Sequence, residues 1–185
     1  MDEKIQIIQH ICLKQTSKNP IDIVKTIMKD PRINIHGPEH HIIDGSAFLT
    51  ALHNAGMIFD LNEALEEMAK RGKKMPGATC GQWGICGSSA SVGAALAIVH
   101  QTGPLSDNDF YKDNLHYTSQ ALQAIGDIGG PRCCKRNAFL SIQTGIAFVK
   151  ERYGIELELH PIICEFSCYN QQCIKERCPF YQKKI

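Results

Sequence analysis

The chain has 185 residues, with 20 Lys and Arg against 19 Asp and Glu, for a net charge of +1. A hydrophobic fraction of 43% and a charged fraction of 21% exclude a chain that is disordered throughout, and the near-zero charge argues against a bulk electrostatic nucleic-acid binder. This length predicts one domain, or one domain with a small appendage. The unusual feature is the content of nine Cys and eight His.

The start of the chain indicates a cytoplasmic protein. Met1-Asp2-Glu3-Lys4 is acidic and leads into an amphipathic stretch, which differs from the apolar core of a secretion signal. The longest run of low polarity, residues 88–99, is too short and too rich in Gly and Ser to span a bilayer. Thiols stay reduced in the cytoplasm, so nine Cys predict metal ligands or reactive thiols rather than disulfides.

The first half of the chain is predicted to be helical. Apolar residues recur at helical spacing, and Asn, Asp and Pro stand where helices begin or stop. One stripe joins Ile5, Ile8, Cys12 and Leu13, and Gly72 after two cations is typical of a helix end. The predicted helices are 3–13, Asn19-Pro20 to Asp30-Pro31, His36-Gly37-Pro38 to about Asn54, and Leu61 to Lys70 capped by Asp60.

The second half continues the helical pattern and ends in a Cys-rich tail. A Gly-rich loop at 76–87 precedes a helix of small residues at 88–101, whose small side chains permit close helix approach. Further helices follow at 109–125, with a cap at Ser106-Asp107, and at 133–153, closed by Gly154, before an extended segment at 155–159. We therefore predict a mainly α fold, in which a single helical domain (1–160) with a short extended segment carries a compact Cys-rich metal-binding tail (161–185).

The tail contains the strongest local signal for chemistry. Its four thiols fall within fifteen residues, at Cys164, Cys168, Cys173 and Cys178, followed by Pro179. Thiolates are the preferred ligands of iron–sulfur clusters and of zinc. The spacing lacks the paired C-x2-C of structural zinc sites, which favours a [4Fe–4S] cluster over the alternative, a structural Zn²⁺ site.

Two further Cys pairs lie at predicted helix starts. Cys80 and Cys86 flank Trp83 in the Gly-rich loop, and Cys133-Cys134 open the helix at 133–153. A helix N-terminus and neighbouring cations both favour the thiolate form, so these thiols are candidate catalytic groups. Adjacent residues diverge on a helix, so we expect only one of the second pair to face a shared site. The candidate substrate-binding residues here are Trp83 and the cations Arg132, Lys135 and Arg136, which suit an anionic group.

A histidine cluster completes the set. The segment HGPEHH places three imidazoles and a carboxylate within six residues, just before and within the first turn of a predicted helix. Such groups ligate metal or move protons. His40 and Glu39 are the candidate catalytic groups, and His36 and His41 are candidate substrate-binding residues. Each of these motifs also has a purely structural explanation: the glycines allow close packing, the thiols are buried and unreactive, and the basic helix start is exposed to solvent.

Together the stretches HGPEHH, GATCGQWGICGSS, GGPRCCKRNAFL and CEFSCYNQQCIKERCPFY resemble an uncharacterised Cys-rich domain family. The resemblance covers roughly residues 36–181. It implies a cytoplasmic, anaerobic setting linked to iron–sulfur or methyl-group chemistry, since members occur alone or fused to methyltransferase or radical-SAM domains. The family's tail pattern matches Cys164, Cys173 and Cys178, whereas Cys168 departs from it. The resemblance therefore also implies a three-thiolate cluster with one open iron.

The leading hypothesis is an iron–sulfur-dependent enzyme of thiol, sulfur-transfer or redox chemistry acting on a small anionic or sulfur-containing substrate. The rival is a non-enzymatic zinc- or iron–sulfur-binding module that delivers metal or docks on a methyltransferase or radical-SAM partner. Nucleic-acid binding by the tail has little support, because its excess of cations is modest.

Overall fold

The computed structural model describes residues 1–183 and confirms the mainly α prediction: within these residues it has eight α-helices, two short 3-10 helices and no strand. Across the same residues no helix combines the length and apolarity that a membrane span requires. The helices are α1 (Asp2–Lys14), α2 (Pro20–Met28), α3 (His40–Asn54), α4 (Leu61–Lys74), α5 (Thr79–Gln82), α6 (Gly87–Val99), α7 (Asp109–Ile128) and α8 (Cys134–Tyr153), with 3-10 turns at Ser167–Tyr169 and Lys175–Arg177.

Helix α3 forms the centre of the molecule and is buried along nearly its whole length. It packs against α1, α2, α4, α6 and α8, and its closest neighbour is α6. A Cβ on Gly45 of α3 would lie 2.5 Å from the Ser91 carbonyl oxygen of α6, and the Ser91 hydroxyl lies 2.8 Å from the Gly45 nitrogen. The small residues of α6 thus allow the close helix approach that the sequence predicts.

Several predicted helix ends differ from the observed ones. Asp60 caps α4 as predicted, since its carboxylate accepts from the Glu63 backbone N–H, but the helix continues through Gly72 to Lys74. Gly72 is a contact residue rather than a stop: a Cβ there would lie 2.3 Å from Ile42 Cγ1 and 2.9 Å from the His41 carbonyl oxygen. Glycine at this position therefore lets α4 approach α3.

Three local predictions were wrong in detail. The HGP segment forms a turn, and α3 begins only at His40. The cap of α7 is Asn108, whose side chain accepts from the Tyr111 N–H, instead of the predicted Ser106-Asp107. Leu13 is 49% exposed and leaves the apolar stripe of α1, because that stripe is completed by Ile7. The left-handed Gly154 closes α8 as predicted.

The C-terminal segment folds back on the helical body. After α8 the chain runs extended without a paired strand, and the Glu158 N–H donates to the Lys18 carbonyl (3.1 Å). Phe166 and Phe180 are buried in the same core as α3, and Phe180 meets Phe139 of α8 edge to face. The described residues thus form a single compact body. The division at residue 160 and metal binding by the tail stay predictions, and the last two residues of the predicted 161–185 tail lie outside the described residues.

Candidate functional site

Helices α3, α6 and α8 all begin in one region of the molecule, and two cavities lie there. The central pocket is lined by thiols, imidazoles and a guanidinium: Cys80, Cys86, Cys133, Cys134, His40, His41 and Arg132. The tail cavity lies on the other side of the α8 start and is lined by Cys133, Cys164, Cys173 and Cys178, with Phe139, Phe166 and Phe180 as aromatic walls. Cys133 belongs to both. Beside the central pocket, an open groove between α5 and the end of α7 is lined by Cys80, Cys86, Arg132 and several glycines.

Cys86 is the N-cap residue of α6 and is buried. The Asn137 side chain of α8 donates to its sulfur (3.3 Å), which ties the start of α6 to α8. Burial raises the pKa of the Cys86 thiol, and the hydrogen bonds from Ser88 and Asn137 only partly oppose this effect. This rise in the Cys86 pKa is opposite to the lowering that a helix N-terminus alone predicts.

The two adjacent cysteines at the start of α8 differ in the cavities that they line: Cys133 lines both, and Cys134 lines only the central pocket. Cys133 is the N-cap, and its sulfur accepts from the backbone N–H of Arg136 (3.4 Å) and from the Asn170 side chain (3.4 Å). Cys134 lines the central pocket only, and burial raises the pKa of its thiol to about 12. Burial therefore outweighs the helix N-terminus and the neighbouring cations that the sequence indicates as thiolate-stabilising.

His40 has one bound and one free ring nitrogen. Its side chain is buried, and Nε2 lies 3.1 Å from the Asn34 carbonyl oxygen and 3.2 Å from Lys135 Nζ. Among the described residues, Nδ1 has no hydrogen-bond partner. Burial and the Lys135 cation lower the pKa of His40 to about 3, so the ring is neutral at physiological pH. With the Nε2–H donated to Asn34, the lone pair is on Nδ1, which is itself buried.

His41 presents a second neutral imidazole. Its Nδ1–H donates to the Met75 carbonyl (3.2 Å), which leaves the lone pair on Nε2. The ring lies against the first turn of α6, where a Cβ on Gly87 would come within 2.3 Å of His41 Nε2. Glycine at the start of α6 thus makes room for this ring, and burial lowers the pKa of His41.

The other two members of the HGPEHH cluster lie outside both cavities. The Glu39 carboxylate pairs with Lys4 of α1 and accepts from the Asn34 backbone N–H (3.1 Å). His36 accepts from the Cys134 backbone N–H at Nδ1 (3.4 Å) and donates from Nε2 to the Asn170 side-chain oxygen (3.0 Å). Both side chains have internal partners, so their contacts here hold the turn before α3 in place.

The three predicted substrate-binding cations have different surroundings. Arg132 is exposed and lines both the central pocket and the groove. Lys135 is buried, donates to the Asn34 carbonyl (3.2 Å) and lies 5.2 Å from the centre of the Phe166 ring. The Arg136 guanidinium donates to the Gly129 and Pro131 carbonyls. Of the three, Arg132 is therefore the cation most available to an anionic ligand.

Two predicted residues are placed at a distance from the cavities. Cys168 is exposed on the first 3-10 turn and does not line the tail cavity, in contrast to the other three tail thiols. Trp83 is 61% exposed and lines neither the central pocket nor the groove. Within residues 1–183, no group of three or more His, Cys, Asp or Glu side chains is arranged to hold a metal ion.

The structure adds three polar residues that sequence reasoning missed. Asn137 and Asn170 donate to the sulfurs of Cys86 and Cys133, and no sequence pattern marks either asparagine. Asp44 is fully buried in the middle of α3, and within residues 1–183 neither of its oxygens has a hydrogen-bond partner. A single carboxylate inside the apolar run IIDGSAFL was the available signal for Asp44.

A family model described as "Family of unknown function (DUF5714)" matches residues 8–181. The chain belongs to this family. The match confirms an uncharacterised domain family, as the resemblance implied, while the family's motifs and domain fusions stay predictions. No curated protein and no solved structure was found to match the chain.

Proposed function

We propose that this member of the family is an iron–sulfur-dependent enzyme of thiol, sulfur-transfer or redox chemistry, with the central pocket as its active site. One observation carries the proposal: thiols and imidazoles from three separate segments of the chain line a single pocket where three helices begin. Reactive groups gathered from distant segments into one concave polar site are typical of an active site.

The residues of the pocket have distinct proposed roles. Cys86 and Cys134 are the reactive thiols, and each has a raised pKa, so each needs a group to accept its proton as it reacts. His40 and His41 line the same pocket, and in this proposal their unprotonated ring nitrogens accept these protons. Arg132 at the border of pocket and groove is placed for an anionic group of the substrate. The groove is the entry route.

The iron–sulfur part of the proposal is supported by the thiols of the tail cavity, since soft thiolates select iron–sulfur clusters and zinc. Anaerobic purification followed by iron and acid-labile sulfide analysis tests it. We expect iron and sulfide in near-equal amounts. A colourless protein with stoichiometric zinc would contradict the cluster.

Polysulfide is the probe for the pocket chemistry. A thiolate takes one sulfane sulfur from the end of the polysulfide chain and becomes a persulfide, while the polysulfide is shortened by one sulfur at unchanged total charge. We expect the pocket thiols to be modified faster than exposed Cys168, the internal control, although they are less accessible. Mass spectrometry of peptides over time gives the order. Modification that follows exposure alone, with Cys168 first, argues against an active site in the central pocket.

The accessory module is the second candidate, and one observation favours it. Leu159, Ile163 and Tyr169 are exposed apolar residues on the segment that carries the tail cavity, with Tyr169 73% exposed. Apolar side chains beside a metal-binding segment suit a surface that docks on a methyltransferase or radical-SAM protein. This alternative predicts metal in the tail, polysulfide modification by exposure alone, and unchanged metal content in a Cys134→Ala variant.

A further inference from the structure

We infer that Cys133, Cys164, Cys173 and Cys178 together form a four-thiolate metal centre and that Cys168 is not one of its ligands. This inference deepens the proposed function, because it rests on the proposed metal binding, but it does not depend on catalysis in the central pocket. It replaces both the contiguous tail set and the three-thiolate set that the sequence implies.

The lining of the tail cavity is the first step of the argument. Three of its thiols come from the tail, and the fourth comes from the start of α8, at the N-cap position Cys133. Cys168 is exposed and outside this set. Cysteines that bind one metal centre must line one space, and these four line the same cavity. Their side chains are not arranged around an ion in this structure, so metal binding requires the four sulfurs to turn towards one another.

Backbone N–H groups donate to two of the four sulfurs. The Arg136 N–H donates to Cys133 and the Lys175 N–H donates to Cys173, each at 3.4 Å. A sulfur is a weak acceptor as a thiol and a much better one as a thiolate, so this arrangement favours the thiolate form that a metal requires.

Asn170 connects the α8 thiol to the tail. Its side-chain nitrogen donates to the Cys133 sulfur, and its backbone carbonyl accepts from the Cys173 N–H (3.0 Å). Its side-chain oxygen is fixed by His36 and by the Gln172 N–H (2.9 Å). The asparagine is buried, so it holds Cys133 and Cys173 on the same cavity without being a ligand itself.

The surroundings of the cavity suit a negatively charged centre. Four thiolates around a divalent ion leave an excess of negative charge, which needs nearby cations when it is shielded from water. Lys135 and Arg136 line the cavity. Phe139, Phe166 and Phe180 exclude water from the remaining wall. The same surroundings serve a [4Fe–4S] cluster or a zinc ion, so the experiment below distinguishes them.

The test compares Cys133→Ala with the matched control Cys168→Ala. Each protein is purified anaerobically as the full chain, and iron, sulfide and zinc are measured per chain. Metal release to a chelator is then followed by absorbance. We expect Cys168→Ala to keep wild-type metal content and release rate. We expect Cys133→Ala to lose most of its metal, or to release it at least about tenfold faster. Circular dichroism of the metal-free proteins establishes that each variant still folds.

Retention of metal by Cys133→Ala with loss from Cys168→Ala would overturn the ligand set in favour of the contiguous tail site. Retention by both variants, with loss from Cys173→Ala, would overturn it in favour of the three-thiolate site. Zinc in place of iron, with the expected variant pattern, supports the ligand set while refuting the iron–sulfur enzyme. Wild-type protein that binds neither iron nor zinc would refute both the ligand set and the iron–sulfur enzyme.

Discussion

Replacing Asp44 with Asn is expected to stabilise the protein above neutral pH and to have little effect in acid. Asp44 lies in the middle of α3, its side chain is fully buried, and neither carboxyl oxygen has a hydrogen-bond partner among the described residues. Burial raises the pKa of Asp44 to about 7, and the Lys135 cation only partly opposes this effect. An ionised carboxylate at this position is therefore costly.

The size of the effect follows from proton linkage. In the unfolded chain an aspartate has a pKa of 3.8, so between that value and about 7 the folded state keeps a proton that the unfolded state has lost. The stability that this group contributes is full below pH 3.8 and is lost as the pH rises through 7. Between pH 5 and pH 8 the loss is about 3 kcal/mol for one group with these two pKa values. Asn does not ionise and does not contribute such a loss.

Urea unfolding of both proteins at pH 5 and pH 8, with matched metal content, measures this difference. The free energy of unfolding of Asp44→Asn relative to wild type should rise by about 3 kcal/mol from pH 5 to pH 8. Asp107→Asn, an exposed loop substitution, is the control and should show no such change. If the relative stability of Asp44→Asn is the same at both pH values, the carboxyl group does not carry the proton at neutral pH and the reasoning fails.

Three other predictions follow from single contacts. Gly145→Ala places a Cβ 2.9 Å from the buried Phe48 ring and should lower the free energy of unfolding by about 1–3 kcal/mol in urea titrations. Gly126→Ala, at a position of α7 where an added Cβ would meet nothing within 4 Å beyond its own stretch of helix, should raise it by about 0.5–1 kcal/mol, and a loss there would contradict the open surroundings. Asn170→Ala should speed metal release to a chelator about 10–100-fold, since Cys133 loses its donor; an unchanged rate would remove Asn170 from the centre's surroundings.

Much of the fold was predictable because α2, α4 and α7 are amphipathic and several helix ends carry local signals. Asp60 and Gly154 cap α4 and α8 as their residue types indicate. The helix end predicted at Gly72 was wrong because glycine can either end a helix or allow two helices to pack closely. A glycine after cations indicates a helix end, whereas here it makes room for Ile42 and His41 of α3. Only the packing of two helices distinguishes these cases.

The central pocket was predictable in part, because its thiols and His40 all stand at helix starts, and local sequence predicts helix starts well. That these starts meet in one pocket depends on how α3, α6 and α8 pack, which local sequence does not specify. The same limit applies to the tail. Spacing alone grouped Cys168 with its neighbours, whereas the structure turns it outward. Cys133 is distant in the chain, so no spacing rule connects it to the tail.

The position of Cys133 in both cavities limits how the chemistry is divided. A thiolate bound to a metal is not at the same time a free nucleophile, so a Cys133 that serves the tail centre leaves Cys134 and Cys86 as the reactive thiols of the central pocket. The sequence left Cys133 and Cys134 open as alternatives, because adjacent residues on a helix point in different directions. Their surroundings separate them: Asn170 of the tail donates to Cys133, while Cys134 lines only the central pocket. A metal centre in the tail would then share one residue with the wall of the pocket, and loss of the metal would free a third thiol at the site.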